Sequence, residues 1–146
     1  MEKIIVKVIL ENGVEKPFYA TEGSAGMDVR ANITEPVTLG TLERTLIPTG
    51  IKMEIPVGYE VQVRPRSGLA LKHGISLVNT PGTIDSDYRG EVGIIMINLS
   101  NEAYTIEPNE RIAQLVLNKV YQMELKETEN LSDSDRSSGG FGHTGK

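Results

Sequence analysis

Hydrophobic and polar residues alternate through the middle of the chain with the period of a β-strand. From Ile51 to Val57 every second residue is apolar, and the same alternation returns from Tyr59 to Val63. A period of two places alternate side chains on opposite faces, so both stretches are predicted to be strands with one buried face. The sequence "PVG" at 56–58 predicts a hairpin turn between them.

Three further stretches, residues 3–10, 92–98 and 111–120, are more continuously apolar, which is typical of strands covered on both faces. Only "SGLALKHG" at 67–74 has the serine start and glycine stop of a short helix. The chain has 14 Ile and 12 Val against 12 Leu and 6 Ala, and β-branched residues favour strands. We therefore predict an all-β fold with one short helix.

The composition changes near Gln122. Residues 122–135 are polar and acidic without a turn pattern, and residues 136–146 are rich in glycine. We predict a folded domain over residues 1–121 and a linker with a C-terminal arm over residues 122–146. Composition alone favours a disordered tail, which remains the alternative.

Length, charge and cysteine content narrow the function classes. The 146 residues suit one domain, and the net charge of −5 argues against binding to duplex nucleic acid. No apolar stretch reaches the ~20 residues of a membrane span, and the N-terminus does not resemble a signal peptide. Without cysteine there is no disulfide, thiolate nucleophile or cysteine-bound metal. We expect a cytoplasmic location, or the host cytoplasm if the source is viral.

The tail contains two nucleotide-binding patterns, G-x-G-x-x-G and the beginning of a P-loop, but neither has the strand and helix that it requires. The underlying physical chemistry still applies, because a glycine-rich backbone can turn several N–H groups toward one anion. Arg136, Ser137, Ser138 and Lys146 would add donors and charge. We expect a phosphate-binding arm that becomes ordered with its ligand.

A second candidate is "RPRSGLALKHG" at 64–74. Ser67 and Gly68 lie where a strand is predicted to end and the helix to begin, with Arg66 beside them, and free N–H groups there attract anions. The alternative is an ordinary serine N-cap with a solvated arginine.

The third candidate is "NTPGTIDSDYRGEVGIIMIN" at 79–98, predicted to be a hairpin. Backbone groups at its edges could pair with the polar edge of a flat base. Asp85 follows apolar Ile84, so we expect a partly buried carboxylate that could act as a general base. The alternative is a surface hairpin with solvated carboxylates.

Together, in this order, these segments resemble the five motifs of the trimeric dUTPase family. The motifs are "AGMDVRA" at 25–31, "RPRSGLALK" at 64–72, the segment at 79–98, "RIAQLVL" at 111–117 and "RSSGGFGHTGK" at 136–146. The resemblance implies a jelly-roll-like β-barrel with a flexible C-terminal arm, assembled as a homotrimer with three shared active sites. Fourteen extended linker residues at ~3.3 Å each would span about 46 Å, enough to cross a small domain.

The resemblance also implies the reaction: dUTP is hydrolysed to dUMP and pyrophosphate, with Mg²⁺ on the triphosphate. The activity would limit uracil incorporation into DNA and supply dUMP for thymidylate synthesis. Asp85 matches the general base that activates the attacking water. Asp28 matches an aspartate near the metal and the phosphates, with a supporting role through water or an arginine partner. A structural salt bridge from Asp28 to Arg66 or Arg111 is the alternative.

The remaining residues are assigned to the substrate by the same resemblance. The phosphates would contact Arg66, Ser67, Gly68 and Gln114 from the body, and Arg136, Ser137, Ser138, Gly139 and Gly140 from the arm. Uracil would contact Asn79, Thr83, Ile84 and Gly93, with Phe141 stacked on it. Tyr88 would pack against the deoxyribose and exclude a 2′-hydroxyl. Three rival functions are a dCTP deaminase, a dUTP-sensing binding protein, and a plain β-barrel module with a disordered tail.

Overall fold

The computed structural model of the chain describes residues 1–145 and contains ten strands and one short helix in that range. In chain order the elements are β1 Lys7–Leu10, β2 Gly26–Arg30, β3 Val37–Leu39, β4 Arg44–Glu54, β5 Tyr59–Pro65, α1 Ser67–His73, β6 Ile75–Leu77, β7 Gly82–Ile84, β8 Glu91–Asn98, β9 Tyr104–Ile106 and β10 Arg111–Lys119. The prediction of a mostly β fold with one short helix is confirmed.

The strands form two four-stranded sheets and one two-stranded ribbon. The first sheet has the order β1-β4-β8-β6, the second has the order β2-β10-β5-β7, and β3 pairs with β9. Every pairing is antiparallel. Within residues 1–145 no strand pairing joins the two large sheets into a closed barrel, so the jelly-roll barrel stays a prediction.

The core is aliphatic, as the excess of isoleucine and valine predicts. Its most deeply buried side chains include Ile47, Ile94, Met96, Ile106 and Ile112. Two buried polar residues are satisfied by backbone carbonyls: Thr49 Oγ1 donates to Val92 O at 2.6 Å, and Asn98 Nδ2 donates to Leu39 O at 2.9 Å. These bonds remove the penalty for burying polar groups, and the second one ties the β3–β9 ribbon to β8.

The predicted hairpin at residues 56–58 is wrong. A turn is present, with Tyr59 N bonded to Pro56 O at 3.2 Å, but β4 and β5 do not pair with each other. They enter different sheets. An alternating pattern specifies which face is buried and not which strand lies alongside, so it could not identify the partners. Val57, expected to be buried, lies in this turn and is 91% exposed.

Residues 3–10 also differ from the prediction. Only Lys7–Leu10 is a strand, and it lies at a sheet edge with β4 as its one partner. Ile5 is 83% and Ile9 69% exposed in the single chain, so neither is covered as expected. A continuous apolar run can be buried by a second protein chain as well as by its own, and sequence does not distinguish the two.

The apolar runs at 92–98 and 111–120 agree better with the predicted strands. In β8 every second residue is buried and the intervening apolar residues are partly covered. In β10 the adjacent pairs Ile112–Ala113 and Leu115–Val116 are all buried, so both faces of this strand are covered, as predicted.

The helix is where the sequence predicts it. Gly74 adopts the left-handed conformation, with φ 65°, and its N–H bonds back to Ala70 O and Leu69 O. A left-handed C-terminal glycine is the usual stop for a helix. This seven-residue helix is too short to cross a membrane, and no other helix occurs within residues 1–145.

Candidate active site

Strands β2, β10 and β5 bring the residues of three motifs side by side. Asp28 on β2 lies directly opposite Gln114 on β10, and Ala113 lies opposite Pro65, the last residue of β5. Opposed residues on one face of an antiparallel pair are about 5 Å apart at Cβ. Because Arg66 follows Pro65 immediately, the sheet places Asp28, Gln114 and Arg66 together.

Asp28 accepts contacts at both carboxylate oxygens. Arg66 Nε lies 3.2 Å and Gln114 Nε2 lies 3.4 Å from Oδ1, and Arg111 Nη1 lies 3.3 Å from Oδ2. The Asp28 side chain is 23% exposed and that of Arg66 25%. One carboxylate therefore faces two guanidinium groups, which leaves a surplus positive charge. A group of this kind is suited to binding phosphate oxygens.

Arg111 was not among the predicted site residues. Strict alternation along β10 puts Arg111 and Gln114 on opposite faces, because they are three positions apart. The pairing of β10 with β2 shifts register between Arg111 and Ala113, which turns Arg111 toward Asp28. Nothing in the residue pattern signals this irregularity, and a one-residue shift reverses the facing of a side chain.

The start of the helix is not the ordinary serine N-cap with a solvated arginine that was the alternative. Arg66 is the N-cap and makes no side-chain capping bond, and Ser67 is the first residue inside the helix. Arg66 is paired with Asp28 instead of being solvated. A Cβ at Gly68 would meet no atom within 4 Å, so the space beside its Cα is open.

The predicted segment 79–98 is not a hairpin, because its two strands lie in different sheets. Strand β7 pairs with β5, whereas β8 pairs with β4 and β6. The loop between β7 and β8 crosses from one sheet to the other. Strand β7 is a sheet edge, so one side of its backbone has no strand partner. The prediction that backbone groups at a strand edge are available for recognition fits this position.

A cavity of about 200 Å³ lies where this segment crosses between the sheets. Six predicted site residues line it: Asn79, Thr83, Ile84, Asp85, Tyr88 and Gly93. Four lining residues, Val63, Gly82, Glu91 and Val92, were not predicted, since they gain this position only from the folding of β5 and β8 against β7. Gly82, the first residue of β7, lets the Asn79 amide approach closely: a Cβ there would lie 3.1 Å from Asn79 Nδ2.

Asp85 lies at this cavity with an exposed side chain, so the expected partial burial beside Ile84 is wrong for the single chain. Ile84 is 7% exposed and points into the core, and alternation turns the next side chain outward. Within residues 1–145 no hydrogen bond or ion pair engages the Asp85 carboxylate. Both oxygens are therefore open to water or a ligand.

Tyr88 is held against the cavity by two features. Its hydroxyl donates to Glu91 O at 2.8 Å, and its backbone N–H bonds to Asp85 O at 3.2 Å. A Cβ at Gly90 would collide with the phenol ring. Glycine at position 90 thus allows the ring to fold back over the loop.

The described arm residues form no hydrogen bond with the Asp28 cluster or with the cavity residues of the single chain. Arg136 Nε donates to Gly139 O at 2.6 Å, and Phe141 is fully exposed. Within the described range, the hydrogen bonds of residues 122–145 remain inside that segment. The structure therefore brings Arg136, Ser137, Ser138, Gly139, Gly140 and Phe141 together only as a local turn. Lys146 lies outside the described residues.

Residues 1–145 contain no group of three or more His, Asp or Glu side chains placed to hold a metal ion. The Asp28 oxygens are occupied by Arg66, Arg111 and Gln114, as the salt-bridge alternative predicts. A resident metal cage does not fit this donor set. A divalent ion that arrives on a polyphosphate, with its own water ligands, requires no such cage.

Comparison with known proteins gives concordant matches. The family model described as dUTPase matches residues 12–145. The chain is 68% identical over its full length, and over the full length of the relative, to deoxyuridine 5′-triphosphate nucleotidohydrolase of Fusobacterium nucleatum. It is 57% identical over 140 residues to the protein of that name from Finegoldia magna, covering 96% of this chain and 98% of the relative. The solved dUTPase of Staphylococcus bacteriophage 80alpha with dUPNHPP superposes with a TM-score of 0.87 at 29% identity, covering 99% and 100% of the two chains.

Proposed function

The chain belongs to the dUTPase family, and on that premise we propose that it hydrolyses dUTP to dUMP and pyrophosphate. One observation on this chain's own residues supports the proposal. The small cavity between the sheets combines a strand edge, a free carboxylate and a tyrosine ring held in place. These are the parts needed to recognise a base, activate water and examine a sugar. The activity limits uracil incorporation into DNA and supplies dUMP for thymidylate synthesis, and we place it in the cytoplasm.

In the proposed reaction Asp85 accepts a proton from water as the water oxygen attacks the α-phosphorus. The new bond joins that oxygen to the α-phosphorus, and the bond to the oxygen bridging the α- and β-phosphates breaks. Pyrophosphate leaves with the bonding electrons. The exposed and unpaired Asp85 carboxylate supports this role, because a general base must be within reach of its water.

Uracil would enter the cavity and pair with backbone groups of Thr83, Ile84 and Gly93, with Asn79 adding its amide. Cytosine presents the opposite donor and acceptor pattern at its position 4. It would leave polar groups unpaired in a confined site, which allows strong discrimination. The Tyr88 ring would lie against the deoxyribose and leave no room for a 2′-hydroxyl. Phe141 would stack on the uracil when the arm closes.

The phosphates would bind at Arg66, Ser67, Gly68 and Gln114. The substrate is proposed to arrive as its magnesium complex, in which the ion neutralises phosphate charge. Asp28 would contact that complex only through water. Its main task on this chain is to orient the two guanidinium groups, as its contacts at 3.2 and 3.3 Å support.

We propose a homotrimer in which the arm of one subunit closes over a site shared by the other two. A compact monomer of this mass exposes about 7,400 Å², whereas the single chain exposes 10880 Å². From Tyr121 to Lys126 apolar and polar residues alternate, and the apolar members Tyr121, Met123 and Leu125 are 84–86% exposed. That pattern fits a strand that adds to another chain. Arm donors, Arg136 foremost, would then reach a neighbouring phosphate site.

The deciding experiment is pyrophosphate release from dUTP, dCTP, dTTP and UTP in the presence of Mg²⁺. We expect release from dUTP alone. Asp85→Asn should lower the rate about 10²–10⁴-fold, the usual contribution of a general base. Asp87→Asn is the matched control, since it removes an exposed carboxylate from the same loop, and it should retain the wild-type rate.

Other results of this assay would identify one of the alternative functions. Ammonia and dUTP formed from dCTP would identify a deaminase. Tight binding of dUTP without turnover would identify a sensor and remove the role assigned to Asp85.

A further inference from the structure

Tyr104, on β9, joins two elements of the phosphate side of the site. Its ring packs against His73 with centroids 4.9 Å apart, and its hydroxyl donates to Glu110 Oε1 at 2.6 Å. His73 is the last residue of α1, whose first residues are Ser67 and Gly68. Glu110 immediately precedes Arg111 at the start of β10. Tyr104 therefore bridges the far end of the helix and the beginning of the strand that carries Arg111 and Gln114.

Glu110 is linked through the backbone to both Arg111 and Arg66. Its carbonyl accepts from Ala31 N at 2.8 Å, just beyond the strand that carries Asp28. The carbonyl of Arg111 accepts from Arg66 Nη1 at 3.3 Å. A displacement of Glu110 would move Arg111, and through that carbonyl it would move the guanidinium of Arg66.

A contribution to stability alone does not explain the Tyr104–Glu110 pair. Glu110 Oε2 is buried and has no hydrogen-bond partner among the described residues. Leaving a carboxylate oxygen buried without a donor opposes folding. Burial raises the pKa of Tyr104 and the Glu110 carboxylate raises it further, whereas the charge of Arg66 acts to lower it. Arg66 is thus within electrostatic reach of the phenol.

We propose that Tyr104 and Glu110 are positioning residues that set Arg66 and Arg111 at the spacing needed for a polyphosphate. This inference rests on the proposed function, which assigns the phosphates to that cluster. Neither Tyr104 nor Glu110 would contact the substrate itself. Its consequence is selective: loss of the pair should weaken binding of the phosphate chain and leave binding of the nucleoside unchanged.

The test uses the full-length protein and two probes, inorganic tripolyphosphate with Mg²⁺ and deoxyuridine, each titrated by calorimetry. Tyr104→Phe removes one hydroxyl and keeps the ring against His73. This variant and Glu110→Ala should bind tripolyphosphate about tenfold more weakly, the scale of one lost hydrogen bond to a charged group. Deoxyuridine affinity should not change. Glu110→Gln keeps an oxygen acceptor for Tyr104 and should restore most of the tripolyphosphate affinity.

The matched control is Thr105→Val. It removes a hydroxyl from the next residue of the same strand, where Thr105 bonds Thr38 across the ribbon at 2.8 Å, and it should bind both probes normally. Wild-type tripolyphosphate affinity in Tyr104→Phe and Glu110→Ala would overturn the inference. So would an equal loss for both probes, or a Gln variant as weak as the Ala variant. Neither titration involves hydrolysis, so a wild-type protein without dUTP turnover would refute the proposed function alone.

Discussion

The side chain of Asp28 lies between Arg66 and Arg111, with the Gln114 amide on the same oxygen as Arg66. The sequence left two roles open, one near a metal and one as an ion pair. Both oxygens are engaged by cations or an amide donor, which favours the ion pair. Partial burial strengthens such contacts, because less water competes for the charges. At this scale the function of a residue depends on neighbours that lie far away in the chain.

A residue-scale prediction concerns the space beside the Tyr88 ring. Gly90→Ala would push a methyl group into that ring, so the ring must move off the position fixed by its bond to Glu91 O. The variant should hydrolyse UTP better relative to dUTP by about tenfold, a typical gain when a steric filter is relaxed. The ratio of kcat/KM for the two nucleotides measures this. Gly23→Ala, where a Cβ meets nothing within 4 Å, is the control. An unchanged ratio in Gly90→Ala would contradict the sugar-excluding role of Tyr88.

A second residue-scale prediction concerns alkaline stability. Burial raises the pKa of Tyr104 above its ordinary value of 10.0. Above about pH 10 the unfolded chain loses this proton while the folded chain keeps it, so the folded state binds more protons there. The stabilisation is complete below pH 10 and is lost as pH rises toward the folded pKa. Tyr104→Phe should therefore lose less stability between pH 9 and pH 11 than the wild type.

The measurement is the urea midpoint at each pH. Thr105→Val provides the control, because it removes from the same strand a hydroxyl that does not titrate in this range, and its pH profile should follow the wild type. Identical slopes for Tyr104→Phe and the wild type would mean that the phenol titrates normally in the folded protein.

At the scale of elements, β10 is central to the proposed phosphate site. It pairs with β2 on one edge and β5 on the other, and its register shift turns Arg111 toward Asp28. The loop from β7 to β8 lines the small cavity where it crosses between the sheets. Both features follow from strand partnership. Local alternation predicts the strands but not these partnerships, since pairing is decided by contacts far apart in the chain.

The arm gives a prediction at the same scale. Removing residues 136–146 should leave the thermal midpoint unchanged, because residues 122–145 make no hydrogen bond with residues 1–119 in the described chain. Activity should fall about 10²-fold, since the proposed closure of the arm would position the substrate and exclude water. Phe141→Ala should reproduce part of the loss, and His143→Ala should not. Full activity after the deletion would instead identify a plain β module with a disordered tail.

The whole molecule exposes more surface than a compact monomer of its mass requires. Exposed Ile5 and Ile9 lie on or beside the edge strand β1, and an apolar groove of about 240 Å³ lies nearby, lined by residues such as Val8, Met53 and Leu117. Exposed apolar surface of this kind is typical of a protein interface. The proposed homotrimer supplies what would cover it.

The corresponding prediction concerns the alternating segment 121–126. Met123→Asp places a charge on its apolar face in every copy, and burying a Met side chain contributes about 1.5–3 kcal/mol. We expect the wild type to sediment with three times the 16.0 kDa mass of one chain. The Met123→Asp variant should dissociate into single chains at a higher protein concentration than the wild type does. Gln122→Asp adds the same charge on the polar face and should remain assembled. Equal dissociation of the two variants would exclude this segment from the interface.

The sequence by itself determined what depends on local pattern. Period-two alternation, the excess of β-branched residues and the Ser67–Gly74 punctuation predicted the strands and the one helix, because these preferences act over a few residues. The motif resemblance supplied the family and the residues to inspect.

Tertiary structure alone decided how those pieces meet. It separated β4 from β5, joined Asp28 to two arginines, exposed Asp85 and Ile5, and formed the cavity between β7 and β8. The physical reason is that strand pairing and register minimise the free energy of the whole chain at once. A local pattern specifies which face is buried and leaves the partner open.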